Sequence, residues 1–236
     1  MKLAVFDIDG TLTNTNIVDG QCFVQAFADV HGVAGINTDW SQYPHTTDSG
    51  ITLRIFQERR GRAPEASELA KLKERFIALL KDEYSKQPAL FAEIPGAAAA
   101  FDKLRRETSW AVAIATGCWR ESALLKLEAA GINFDGVPLA YADDSISREE
   151  ILKDAVSQAT KHYEKDFEKI VSVGDGVWDA RTALNLKFAF LGVGDRERAK
   201  RLKHEGATHV IEDYRDFAQV LQCLEEAEIP HKSSGG

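Results

Sequence analysis

Short apolar runs alternate with longer amphipathic stretches along most of this chain, the rhythm of an α/β domain built on a parallel sheet. Leu3 to Phe6, Ala111 to Ala115, Val137 to Tyr141, Ile170 to Val173, Phe188 to Leu191 and His209 to Ile211 read as strands. Helical patterns fall between them. One covers Ser122 to Ala130, and another covers Glu149 to Thr160, with Ile151, Leu152, Ala155, Val156 and Ala159 on one face. Further helices are expected over Asp179 to Leu186 and Arg215 to Ala227, and the run Ala97 to Ala100 reads as a helix start.

The stretch from about Thr15 to Glu93 breaks this rhythm. Cys22, Phe23, Ala26, Phe27 and Val30 recur at helical spacing, as do Leu69, Leu72, Phe76, Leu79 and Leu80; Ile51, Ile55 and Phe56 fit a further helix. No strand is expected there. An all-helical block between the first and second strands reads as an inserted cap domain over residues 15–93, with residues 1–14 and 94–236 forming the core. Polar Thr13-Asn14-Thr15-Asn16 and the turn Ile94-Pro95-Gly96 are the expected hinges.

Composition narrows the function classes. With 236 residues, 44% of them hydrophobic, the chain can bury a core of this size. A net charge of -8 argues against nucleic-acid binding through a broad basic face, so an anionic ligand would need local help from a metal, a basic side chain or backbone amides. No apolar run is long enough to span a bilayer, and the N-terminus runs straight into Lys2-Leu3-Ala4-Val5-Phe6 without the parts of a secretory signal. Cys22, Cys118 and Cys223 show no zinc or redox spacing, so reduced thiols in a cytoplasmic protein are expected. The tail Pro230 to Gly236 is expected to be disordered.

The chemistry concentrates at strand ends, where open parallel sheets bind ligands. The first strand runs into Asp7-Ile8-Asp9-Gly10-Thr11. On a regular strand Asp7 and Asp9 would share a face, and two nearby carboxylates call for a cation or a shared proton. Alone, such a pair is more simply two solvated aspartates. The fourth strand adds Asp175 at its end, with Asp179 near the following helix start. Asp179 alone is more simply a helix cap, but four aspartates at two strand ends suit a hard cation such as magnesium. The second strand ends in Ala115-Thr116-Gly117 ahead of a helix, a candidate phosphate cradle or an ordinary turn. Ser147 to Glu150 reads as a capping box that puts Arg148 at the first helical position, on the side of the sheet where the other motifs lie.

Taken in order, Asp7-Ile8-Asp9-Gly10-Thr11, Thr116-Gly117, a basic residue before the fourth strand, and Asp175 with Asp179 resemble the four motifs of the haloacid dehalogenase superfamily. The helical insert resembles the C1-type cap of its phosphoglycolate phosphatase-like members. The resemblance implies a Rossmann-like doubly wound parallel sheet. It also implies a magnesium-dependent phosphatase of small phosphate esters, with Asp7 as nucleophile and Asp9 as leaving-group acid and then base. Magnesium would be held by Asp7, the Asp9 backbone carbonyl, Asp175 and Asp179, and the phosphoryl group by Thr116, Gly117 and Arg148. Relatives often carry Lys-Pro at the third motif, where this chain has Ser147-Arg148. Lys153 is the rival there, more than a turn further along.

Rival functions remain within reach of the sequence. A dehalogenase needs no leaving-group acid, so Asp9 argues against it; a phosphomutase uses both first-motif aspartates. A phosphonate hydrolase would need a Schiff-base lysine in the cap, where Lys71, Lys73 and Lys81 read as a solvated face. A non-catalytic binding protein would not need all four aspartates. For substrate recognition, the polar segment Tyr43 to Gly50, with Arg54 beyond it, either reaches the site or forms a cap surface loop. Trp119 and Arg120 either line the pocket or pack elsewhere.

Overall fold

Strand β1 (Lys2–Phe6) sends Leu3 and Val5 to one face of the sheet and Ala4 and Phe6 to the other, and all four are buried. That double burial explains why the run is apolar throughout rather than alternating. The computed structural model describes residues 1–231, and it sets β1 at the centre of a six-stranded parallel sheet of order β3-β2-β1-β4-β5-β6. The other strands are β2 (Trp110–Ala115), β3 (Leu139–Ala140), β4 (Lys169–Gly174), β5 (Ala189–Val193) and β6 (His209–Ile211). This is the doubly wound, Rossmann-like order. The chain leaves β1 in one direction along the sheet and returns to its other side through β4, so the switch point lies between β1 and β4.

Helices α4 (Ala97–Glu107) and α9 (Phe217–Glu226) contribute to the apolar cluster that holds Ala4, Phe6, Val112 and Val173. Helix α6 (Arg148–Tyr163) packs on the opposite face with Leu3, Val5, Ala111 and Ala113. Helices α5 (Arg120–Ala129), α7 (Val177–Leu186) and α8 (Arg196–His204) complete the crossovers. Two expected elements are shorter than their patterns. The third strand, expected over Val137 to Tyr141, contracts to two residues because Pro138 has no N–H to give a ladder; its carbonyl accepts from Ile114 instead. The last helix starts at Phe217 rather than Arg215, because the Asp216 side chain caps it at the Gln219 amide.

Between β1 and β2 the chain forms α1 (Asn16–His31), α2 (Asp48–Arg60) and α3 (Ala66–Lys86), with single 3-10 turns at Trp40–Gln42 and Pro88–Phe91. The two segments joining this block to the sheet run side by side. Asn14 donates to the Ala92 carbonyl, Ile94 donates to Leu12, and Thr13 bridges Glu93 in antiparallel fashion. Phe23 centres an aromatic cluster, 5.2 Å from Phe27, 5.7 Å from Phe76 and 5.8 Å from Trp119. Trp119 lies immediately before α5 and is buried in the apolar cluster that joins Phe23, Phe27 and Phe76 of the inserted block to Leu3 and Val5 of β1.

The tail departs from expectation at its start. Pro230 is buried and the His231 amide donates to the Gly206 carbonyl, so these two residues dock on the core. Lys232 to Gly236, the rest of the segment expected to be disordered, lies outside the described residues.

Candidate active site

Asp7 follows β1 directly, and its amide donates to the Val173 carbonyl of β4, so the chain is still in register with the sheet there. It then folds into a tight loop in which the amides of Thr11, Leu12 and Thr13 all reach the Ile8 carbonyl. Gly10 makes this possible: it has φ +74°, and a Cβ would sit 2.0 Å from Asp175 Oδ2. The chain has therefore left strand geometry before Asp9, so the two carboxylates are not related as neighbours on one pleated face.

They separate into two charged groups. Asp7 joins Asp175 and Asp179, each offering an oxygen within 4.8 Å of the others, and all three are buried. Asp175 comes from the end of β4, and Asp179 from the first turn of α7, where its Oδ2 accepts from the Gly176 amide at 2.9 Å. Burial pushes Asp7 up to about 7, the Asp179 charge adds to this, and Arg148 opposes it. Burial likewise lifts Asp175 and Asp179 to about 6, against the pull of Arg198 and Arg148 respectively. Asp175 Oδ2 is held by Asn16 and Arg198, but its Oδ1 is buried without a hydrogen-bond partner. Three buried carboxylates and an orphaned carboxylate oxygen form a donor set that fits a hard divalent cation.

Asp9 faces a different cation. Its Oδ2 accepts from Lys126 Nζ and from Cys118 Sγ, each at 2.7 Å, and its Oδ1 accepts from the Thr15 hydroxyl. Burial alone would raise its pKa, but Lys126 and these hydrogen bonds outweigh that and hold it below the usual carboxylate range. Lys126 is fully buried and also pairs with Asp19 of α1. Burial disfavours its charge, yet Asp19 and Asp9 together keep it protonated.

The second strand delivers Thr116, whose hydroxyl accepts from the Cys118 amide at 3.1 Å, and Gly117. A Cβ at Gly117 would come within 2.8 Å of the Arg148 guanidinium, so the close approach requires glycine. Ser147 caps α6 at the Glu150 amide. Arg148 then bonds Asp179 Oδ1 at 2.5 Å and the Thr46 carbonyl at 2.8 Å, and it lies 3.8 Å from Asp7 Oδ1. Lys153 is exposed and pairs with Glu150 on the outside of the helix.

Asp7, Asp9, Thr116, Gly117, Cys118 and Arg148 line a cavity of about 70 Å³, with Asp175 and Asp179 set back from it. Its far wall is Asn16, Asp19, Phe23, Trp40, Asp48 and Ile51, all from the inserted helical block. Thr46 and Thr47 line it as well, so the polar segment after Tyr43 reaches the site. Arg54 does not; it pairs with Glu58 at the surface. Trp119 packs in the aromatic cluster and donates its indole N–H to Ser49, and Arg120 lies toward Tyr141. Lys73 pairs with Asp143 across the outer rim, and Lys71 and Lys81 are exposed.

A family model for haloacid dehalogenase-like hydrolases matches residues 1–187. The chain belongs to this family. Solved structures agree on the fold at low sequence identity. A hydrolase from Pseudomonas syringae is 20% identical, with a TM-score of 0.69 over 94% of this chain and 98% of its own. A protein of Bacteroides vulgatus assigned as a β-phosphoglucomutase is 15% identical, with a TM-score of 0.68 over 96% and 89%. A protein of Haemophilus somnus assigned as a phosphoglycolate phosphatase is 15% identical, with a TM-score of 0.63 over 94% and 98%. No curated protein matches the sequence.

Within this haloacid dehalogenase-like hydrolase, sequence reasoning passed over Asn16, Asp19, Cys118, Lys126 and Arg198 as site residues, and held Asp48 only as part of the segment Tyr43 to Gly50. One carried a readable signal. Ala123, Lys126, Leu127 and Ala130 fall on one face of α5, so the lysine occupies an inward position that should be apolar. A charge there is rarely buried without a partner. Asn16 and Asp19 sit on α1, whose placement depends on how the helical block packs on the sheet, while Cys118 follows β2 and Arg198 lies in α8.

Proposed function

We propose that the protein is a magnesium-dependent phosphatase that hydrolyses a small phosphorylated metabolite through an aspartyl-phosphate on Asp7. The observation that carries this reading is the buried trio Asp7, Asp175 and Asp179, whose Asp7 lines one small cavity together with Arg148 and the Thr116-Gly117 turn. Asp7, Asp175 and the Asp9 carbonyl would hold magnesium, with Asp179 acting directly or through a water; the ion supplies positive charge where a carboxylate must meet a phosphate dianion.

Within that site Asp7 attacks phosphorus, and the bond to the leaving oxygen breaks as that oxygen takes a proton from Asp9. Water then attacks the aspartyl-phosphate and gives its proton back to Asp9, which releases phosphate and restores Asp7. Thr15, Cys118 and Lys126 favour the ionised Asp9, which suits it to take the proton from water; to act as the acid it must first gain a proton against the Lys126 charge. Thr116, the Gly117 amide and Arg148 bind the phosphoryl oxygens as charge builds on them. Residues 15–93 act as a cap domain that excludes bulk water, turning on the paired segments at Thr13 and Glu93. The free cysteines suit a reducing compartment, and we assign the protein to the cytoplasm. Among the described residues no helix is long and apolar enough to cross a membrane.

Turnover of a generic aryl phosphate with magnesium, and its loss with a chelator, is the expected result. Halide release from a haloacid in metal-free buffer would overturn it in favour of dehalogenation. Isomerised sugar phosphate without net phosphate release would instead identify a phosphomutase.

A further inference from the structure

We infer that the leaving group of the substrate is a short alcohol bearing a basic amine, so that the protein acts on the phosphomonoester of a small amino alcohol. The inference rests on the phosphatase reading and deepens it.

Three observations on the far wall of the cavity point this way. First, the wall has no cation of its own. Arg54 of the inserted block is paired with Glu58 at the surface and does not line the cavity, and Arg148 is bonded to Asp179 on the opposite side. Second, the wall carries two carboxylates. Asp19 is paired with Lys126 behind it. Asp48 is more than nine-tenths buried, and its Oδ2 accepts from the Trp119 amide at 2.8 Å, while its Oδ1 has no hydrogen-bond partner among the described residues. Burial and the neighbouring Asp19 charge push its pKa well above the usual carboxylate range, so a cation brought into the cavity would draw out its ionised form. Third, Phe23 and Trp40 line the same wall, while the Trp178 ring opposite already carries the Arg148 guanidinium 5.7 Å from its centroid. Aromatic faces beside a carboxylate attract an ammonium group and offer little to an anion.

Size limits the class further. A water occupies on the order of 10–15 Å³ of such volume, so a cavity of about 70 Å³ takes a phosphoryl group and a few more heavy atoms. A two- or three-carbon amino alcohol meets that limit. A larger basic cleft with Arg198 and Arg201 lies on the other side of Asn16, Trp40 and Trp178, which line both spaces. It is the competing destination for a substituent, and it would favour an anionic one.

The test compares three phosphomonoesters of similar size in the presence of magnesium: 2-aminoethyl phosphate, propyl phosphate and phosphoglycolate. The expected order of kcat/KM is cationic, then neutral, then anionic, with about tenfold or more between the first two, as a hydrogen bond to a charged group implies. Asp48→Asn should shrink that first ratio toward one, because it removes the charge that distinguishes amine from methyl. A preference for phosphoglycolate, with aryl phosphate still turned over, overturns this inference alone and points to the Arg198 cleft. An unchanged ratio in folded Asp48→Asn also overturns it. If Asp48→Asn does not fold, the wild-type order decides. No turnover of any ester, aryl phosphate included, overturns the phosphatase reading and this inference with it.

Discussion

Asp7, Thr116 and Asp175 each follow directly on a strand of one parallel sheet, whereas Asp19, Trp40 and Asp48 come from a helix, a 3-10 turn and a helix start in the inserted block. Asp7 and Thr116 face the second set across one cavity, and Asp175 lines the larger cleft beside it. The first set is held by the sheet's own ladder: the Asp7 amide bonds β4, and the Thr116 amide bonds the Ala140 carbonyl of β3. The second is held by contacts between the block and the core. The Asp48 amide donates to Gly117, the Thr47 hydroxyl donates to Ile146, and the Ser49 hydroxyl donates to Ala142. On the proposed reading, groups that must sit still relative to phosphorus are built on the sheet, and groups that would meet the variable part of a substrate are built on the inserted block.

The largest expected effect falls on the sheet side. Asp7→Asn should abolish phosphatase turnover while leaving the fold intact, since it is nearly isosteric but removes the nucleophile. Steady-state assays with circular dichroism check this, and wild-type-like turnover in a folded variant would end the proposed mechanism. Arg148→Ala should follow, with a loss of roughly two to three decades on every phosphate ester tested, the typical cost of removing a group aimed at the transition state. Arg148→Lys should recover part of it, because a point charge still meets phosphate without the bidentate fork.

Lys126 tests the seam between the two sides, since its ammonium joins Asp9 of the core to Asp19 of α1. Lys126→Met leaves those carboxylates buried without their cation and should cost about 3–5 kcal/mol in urea unfolding. Thr47→Ala should cost less, about 1 kcal/mol, through loss of the α2 cap at the Gly50 amide and of the bond to Ile146. Lys153→Ala, on the exposed face of α6, should change turnover by less than about twofold, since a surface ion pair is worth little. A crippled Lys153→Ala beside a mild Arg148→Ala would reverse the roles drawn from the geometry.

The same contrast governs what could be read from the chain in advance. Strand ends are legible because an apolar run announces where the ladder stops, and parallel sheets gather those ends on one edge. Asp7, Asp175 and Thr116 needed nothing more. Arg148 was legible through the Ser147 cap, which forms at the Glu150 amide; the other half of the expected capping box does not, because Glu150 pairs with Lys153 and the Ser147 amide donates to Ser145. The helical block was legible as helices, since its 3.6-residue pattern is strong, but not as a wall. Which side of α1 carries Asp19 toward the cavity depends on how Phe23 and Phe27 pack against α2 and α3, and no local rule supplies that. The third strand was over-read because a central proline interrupts hydrogen bonding without interrupting hydrophobicity. The Asp7–Asp9 pair was read on strand geometry that ends one residue too early.

Trp119 gives the molecule an optical handle on itself. The indole belongs to the core yet lies among Phe23 and Phe76 of the inserted block, with its N–H on Ser49 and the Lys73 ammonium 5.1 Å from its ring. Any rotation of the block away from the sheet carries that ring out of an apolar, cation-flanked setting and into water. Emission from Trp119, isolated by replacing Trp40, Trp110 and Trp178 with phenylalanine, therefore reads the separation of the two parts in real time, with no label attached to either.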